Sequence, residues 1–315
     1  MENRSPLRKA FLRLHVAVFL AGFTGILGRL ISLNEALLVW YRLLFSVITL
    51  LVFHFLRNNR KQISRADTIR VLCVGGIAGL HWLSFYGSIK ASNVSIALVC
   101  FSSIGFFTAF LEPLIFRSRL QVVECLLGIL VMAGIYCIFQ FDPHYRKGIW
   151  IGLLSAGLGS LFPILNRKLL QRIDVETLTL YELAGGFILL SLMLPVYIQI
   201  SQSSFRLPGI TDFLWLILLS WVCTVLAFQF SMSALKKISA FTVNLTYNLE
   251  PVYGIALAFL IFREDQSFGP GFYLGFGMII LAIAWQMIRI ISKSSSRQIV
   301  ITGSKKKKGT IRLPE

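Results

Sequence analysis

Residues Tyr41–Leu50 read YRLLFSVITL, and residues Tyr181–Leu190 read YELAGGFILL. Each stretch opens on tyrosine and a charged residue and then turns apolar. The likeness extends outward. Phe85–Ala97 reads FYGSIKASNVSIA and Ser231–Val243 reads SMSALKKISAFTV, with Lys90 falling on Lys236. Ile115-Phe116-Arg117 returns as Ile261-Phe262-Arg263. The offset is 140 residues at the first mark and 146 at the later two, so one unit is written twice with a short insertion between the marks.

Hydropathy says what kind of unit this is. The 315 residues are 56% hydrophobic and 14% charged, with a mean hydropathy of +0.74. A soluble domain of ordinary composition carries about 25% charged residues. Ten apolar stretches, at 14–31, 37–56, 69–89, 94–115, 121–140, 149–169, 177–198, 211–232, 238–262 and 270–291, approach the bilayer-spanning length, which is roughly 20 residues. In lipid each must satisfy its own backbone, which a helix does. A β-barrel strand would alternate in hydropathy, and LLFSVITLLVF does not. Five spans per copy is an odd number, so the second copy enters the membrane from the opposite side. The expected fold is an all-α integral membrane protein with ten transmembrane helices in two inverted five-helix repeats. The expected divisions are a basic N-terminus (1–13), the first repeat (14–140), an external linker (141–148), the second repeat (149–291) and a basic, disordered tail (292–315).

Lys and Arg set the orientation. With the N-terminus in the cytoplasm, the inner segments hold Arg4, Arg8, Lys9 and Arg13, then Arg57, Arg60, Lys61, Arg65 and Arg70, then Arg117 and Arg119, then Arg167, Lys168 and Arg172, then Lys236 and Lys237, and the tail. The outer segments and span ends hold far fewer. Both termini are therefore expected inside. The net charge of +17 follows this zoning, so no nucleic-acid partner is implied. Lys305–Lys308 serve either as a topology anchor or as a hold on anionic lipid, at about 1 kcal/mol per cation. The N-terminal stretch lacks a small-x-small cleavage site and reads as a retained span.

The chemistry-bearing residues are sparse. Cys73, Cys100, Cys125, Cys137 and Cys223 all lie in spans without metal spacing, and no metal or cofactor is expected. No HExxH, no Walker A and no GxSxG with a triad order is present, so an enzyme is not expected. Gly75-x-x-x-Gly79, Ser155-x-x-x-Gly159 and Gly271-x-x-x-Gly275 put paired small residues on one helix face, a device for close packing expected within the chain ahead of dimerisation.

Intramembrane charge is the main functional signal, because it is costly unless paired or facing water. Arg42 and Glu182 hold matching positions in the two copies, Glu250 lies near the middle of the ninth span, and Glu112 lies close to a span end. Inversion would put Arg42 and Glu182 near opposite faces, about 15 Å apart along the normal at 1.5 Å per residue. Each then marks one mouth of a pathway or anchors to neighbouring carbonyls. Glu250 sits in Asn244-Leu-Thr-Tyr-Asn-Leu-Glu-Pro251. Asn244 and Asn248 share one face, Tyr247, Glu250 and Tyr253 the next, and Pro251 frees a carbonyl. A water-filled cavity is the favoured use of these groups, and helix-to-helix hydrogen bonding the other. Ser102 and Ser103 fall at the equivalent depth of the other copy.

In its marks the chain resembles the drug/metabolite transporter superfamily, and within it the EamA-like ten-helix family. These are Trp40-Tyr41-Arg42 at the head of span two, the turns at Ile89–Ala97 and Leu235–Ala240, the Pro251 helix followed by Phe262-Arg263-Glu264, and a Gly-rich last span. The first repeat departs from the family pattern, with Arg117-Ser118-Arg119 where an acidic residue often follows the fourth helix. The resemblance implies a plasma-membrane secondary transporter that moves a small metabolite by alternating access, with spans five and ten peripheral. The expected cavity residues are Tyr41, Arg42, His81, Trp82, Phe85, Ser102, Ser103, Phe106, Glu182, Asn244, Tyr247, Asn248, Glu250 and Tyr253. Arg42 would attract a carboxylate, Glu250 an amine, and the aromatics apolar parts, which suggests export of amino acids or similar amphoteric compounds. Proton coupling through Glu250, exchange and facilitated diffusion fit equally. A channel, a receptor or a membrane-embedded enzyme are the alternatives, and counterflow separates a carrier from a channel.

Overall fold

The structure is a computed structural model that describes residues 5–57, 63–141, 143–238, 240–247 and 249–307. Among these residues all regular structure is helical. The elements are α1 (Ser5–Leu30), α2 (Glu35–Arg57), α3 (Arg65–Ala91), α4 (Val94–Phe101), α5 (Ile104–Phe116), α6 (Val122–Phe141) and α7 (Arg146–Leu169). They continue with α8 (Val175–Ser201), α9 (Ile210–Ser220), α10 (Ala227–Leu235), α11 (Ala240–Tyr247), α12 (Leu249–Phe262) and α13 (Pro270–Lys307). Nine helical stretches among the described residues are long and apolar enough to cross a bilayer, and Pro270–Gln286 is a shorter apolar helix. Large apolar side chains such as Phe55, Leu192, Leu260 and Leu281 lie exposed. In water they would form a sticky surface, and in lipid they are solvated.

Local chemistry sets the boundaries. Asn34, Ser64, Asn93 and Asp174 cap α2, α3, α4 and α8, each accepting a backbone N–H three residues on, at 2.8–3.1 Å. The repeated Ile-Phe-Arg triplet ends both copies alike. Arg117 and Arg263 adopt left-handed backbone, with φ of 52° and 53°. The fourth span divides into α4 and α5 at Ser102-Ser103, and the described residues of the ninth span form α11 and α12. Pro251 lies near the start of α12 and has no N–H to donate to the carbonyl four residues back.

Both chain ends differ from the sequence expectation. Helix α1 starts at Ser5, ahead of the expected start at 14, and Pro6 in its first turn is compatible with that. The backbone of α13 runs on to Lys307, through most of the tail expected to be disordered. No proline or glycine lies between Ile283 and Thr302 to stop it.

The two copies do not stand as separate bundles. The most extensive packing of α3 is against α7 and α8, of α1 against α10 and α12, and of α6 against α13. Bare backbone makes the α3–α8 crossing close. A Cβ on Gly75 would collide with the Glu182 carbonyl, and one on Gly185 with the Leu72 carbonyl. Gly79 meets Gly186, and Gly134 meets Gly275 where α6 crosses α13.

Side chains tie the copies at both ends of the bundle. At one end Asp212 accepts from the Ser32 backbone and hydroxyl, Glu35 accepts from Tyr197, and the Arg206 carbonyl accepts from Tyr41. There the buried Glu264 carboxylate accepts from Arg29, from the Val94 and Ser95 backbone N–H at the start of α4, and from the Ser95 hydroxyl. At the other end Arg167 pairs with Glu112 at 2.9 Å and Arg172 with Asp67 at 3.7 Å.

Candidate functional site

Arg42 carries the site's positive charge, and three helices fix its direction. Its helix α2 places it 3% exposed. Its Nε donates to Thr224 Oγ1 at 2.7 Å, and its Nη1 donates to the Tyr86 hydroxyl at 2.9 Å. The guanidinium lies over Trp82 at 4.4 Å, a contact that favours a desolvated cation. Thr224 belongs to a π-helical turn, Trp221–Leu226, between α9 and α10. Its hydroxyl donates to the Leu219 carbonyl five residues back at 2.7 Å. Such a one-turn widening is common at functional sites, and here it aims the threonine oxygen at Arg42.

These groups line a central cavity with about 680 Å³ of atom-free space, part of it open. Both copies build it. The first supplies Thr24, Arg42, His81, Trp82, Phe85 and Phe101, and the second supplies Phe162, Phe228, Ser231, Asn244, Tyr247 and Glu250. Glu250 is 5% exposed, and among the described residues its carboxylate accepts no hydrogen bond. Asn244 donates to Thr108 at 3.0 Å while its own carbonyl oxygen is buried without a partner. His81 is held through Nδ1 by Ser155 at 2.9 Å and packs among aromatic rings. The result is a mostly aromatic chamber with one guanidinium, one carboxyl group and spare polar atoms.

Of the residues expected at a cavity, the structure brings together Arg42, His81, Trp82, Phe85, Asn244, Tyr247 and Glu250. It puts others elsewhere. Phe101 and Ile104 face the chamber, so Ser102 and Ser103 between them rotate away and bond to the Leu98 and Cys100 carbonyls. Phe106 faces a recess beside α6 and α13. Tyr41 turns toward Arg206 and Phe205, and Tyr253 toward Phe19. Glu182 lies apart, fully buried against Asn166. Arg42 and Glu182 keep separate partners. Asn248 lies outside the described residues. Thr24, Phe162, Phe228 and Thr224 were not anticipated. Thr24 and Thr224 are polar residues in apolar runs, and that was their only sequence signal.

The sequence profile of the EamA-like transporter family matches the chain twice, over residues 8–140 and 146–288. The chain belongs to the EamA-like transporter family. The double match coincides with the two copies, and the family makes the protein a multi-pass membrane transporter. Relatives agree. An uncharacterized transporter of Archaeoglobus fulgidus is 25% identical over 252 residues, covering 78% of this chain and 84% of that one. An uncharacterized transporter of Bacillus subtilis is 21% identical over 301 residues, covering 91% and 92%. A crystal structure superposes with a TM-score of 0.62 at 14% identity, over 87% of this chain and 96% of its own. At that identity the likeness concerns the fold. The EamA-like chamber thus has walls from both repeats.

Proposed function

We propose that this EamA-like protein is a secondary transporter that exports a small amphoteric metabolite of the amino-acid class across the plasma membrane by alternating access. The observation that carries the reading is the meeting of Arg42 and Glu250 in one buried chamber. Arg42 engages two protein acceptors and keeps further N–H donors for a ligand carboxylate. Glu250 has no protein hydrogen-bond donor among the described residues and is free to accept an ammonium. Trp82, Phe85 and Phe228 offer faces to an apolar side chain. A ligand with both charges neutralises both groups, which a singly charged one does not.

The topology we assign is two inverted repeats with both ends cytoplasmic, on the Lys and Arg zoning. Efflux is supported by the buried Glu264 clasp between the repeats, at the end that is extracellular in that topology. A carrier closed there loads from the cytoplasm. Anionic lipid at Lys305–Lys308 is a proposed lipid contact of the tail.

The test is counterflow of labelled amino acids in proteoliposomes. Wild-type protein is expected to exchange at least one zwitterionic amino acid, and Glu250→Gln to raise its half-saturation concentration. Unchanged exchange across the panel in Glu250→Gln would remove the assigned role. Flux without counterflow would make the protein a channel.

A further inference from the structure

Glu182 is the most isolated charged group among the described residues, and the cavity does not use it. Its side chain is 0% exposed. Its two carboxylate oxygens accept only from Asn166 Nδ2, at 2.9 and 2.7 Å. The surroundings are otherwise neutral. Around Glu182 and the next turn of α8, the facing residues are Leu72, Gly75 and Gly79 of α3, Leu43 of α2, Asn166 of α7 and, beside that amide, Met232 of α10. The charged groups on these elements lie elsewhere. Arg42 of α2 is in the chamber, Asp67 and Arg70 of α3 pair with each other at the end of the bundle, Lys90 of α3 donates to the Ile31 carbonyl at the opposite end, Arg167 of α7 pairs with Glu112, and Lys236, one turn beyond Met232, lines a recess at the Asp67 end. None is ion-paired or hydrogen-bonded to Glu182. Glu250 differs, since Arg42 lines the same chamber.

A carboxylate in this setting lacks a counter-ion, and a buried ion without one is strongly disfavoured. A proton is the counter-ion that fits. Asn166 shows the second half of the fit: its Oδ1 is buried with no partner. A neutral carboxyl has one O–H to donate. With the amide turned over, Oδ1 takes the place of Nδ2 against the two carboxyl oxygens, and a Glu182 O–H then donates to it. The arrangement satisfies the orphaned oxygen only when Glu182 carries a proton.

Water approaches closely. At the Asp67 end a recess with about 1000 Å³ of atom-free space is lined in part by Leu170 and Lys236. These follow Asn166 and Met232 by four residues, one helical turn, or about 6 Å at 1.5 Å per residue. The recess floor therefore sits one turn from the acid–amide pair. Above the pair, the α3–α8 crossing at Gly75 and Gly185 is a contact of backbone on backbone.

We propose that Glu182 is a proton-binding site separate from the substrate cavity, through which a pH gradient drives transport. This rests on the secondary-transporter reading above. The carboxylate takes one proton from water on the outer side, forming one O–H bond. It returns that proton to water in the recess after the repeats have changed their exposure, so one proton crosses inward per cycle and none is consumed.

Two measurements on full-length protein in proteoliposomes test this. The first needs no substrate: infrared difference spectra across a pH titration. Wild-type protein is expected to show a neutral-carboxyl C=O band that appears on acidification, is retained in Glu250→Gln and is lost in Glu182→Gln. The second is accumulation of labelled amino acids under an imposed pH gradient. Glu182→Gln is expected to fall to the level seen without a gradient while its counterflow persists. Survival of the titrating band in Glu182→Gln, or gradient-driven accumulation equal to wild type, overturns the proposal. Should Glu182→Gln not fold, Asn166→Leu takes its place, and an unmoved titration of the band overturns the proposal. If no amino acid shows counterflow in wild type, the substrate class fails, and the infrared band still decides Glu182.

Discussion

Arg42 is held at two of its nitrogens, so its aim depends on Thr224 and Tyr86. Thr224→Val removes one acceptor at nearly constant shape. A hydrogen bond to a charged group contributes about 1.5–3 kcal/mol, and the half-saturation concentration for counterflow should rise by about tenfold or more as the guanidinium loses its direction. Arg42→Lys should not rescue activity, because a point charge cannot reach Thr224, Tyr86 and a ligand together. Counterflow kinetics of both variants check this. Arg42 and Glu250 were legible in the sequence because a charge in an apolar run demands a reason. Glu182 gave the same signal. Its true setting depends on Asn166 and on the bare Gly75 backbone, which only the packing of α3, α7 and α8 brings together. Ser102 and Ser103 were placed at the right depth but face away from the chamber. Depth is counted along the chain, whereas azimuth is set by neighbouring helices.

At the scale of elements, the α3–α8 crossing carries a sharp expectation. Gly75→Ala puts a methyl group against the Glu182 carbonyl. Overpacking of this kind costs about 1–3 kcal/mol, occasionally more, and should lower the melting temperature of purified protein. Gly277, with open space around its Cβ position, is the control. There alanine should be neutral or stabilising by about 0.5–1 kcal/mol, since glycine weakens a helix interior. The helices themselves were readable from apolar length alone. The break at Ser102-Ser103 was not readable, since no proline announces it. The π-helical turn at Trp221–Leu226 was not readable. It inserts a residue into the helical register without a proline or glycine to mark it.

For the molecule as a whole, the proposed topology predicts that epitope tags before residue 10 and after residue 300 are reached from the same side, and a tag at 142–148 from the other. Accessibility in intact and permeabilised cells measures this, and tags on opposite sides would remove the inverted arrangement. The two ends are also unequal. Glu264 fastens the end of α12 to the start of α4, while Ser118 holds the matching position in the first repeat. A neutral serine there cannot act as a second anionic clasp. A molecule bolted at one doorway by a buried carboxylate and at the other by partly exposed ion pairs does not divide its time evenly. When the competent state is only a fraction of the population, apparent affinity falls by that fraction. Ligand offered from the Glu264 side should therefore need a higher concentration for half-saturation than ligand offered from the other. Glu264→Gln should bring the two values together, so that a carrier chemically similar on both sides behaves as a one-way preference by default and loses it with one carboxylate.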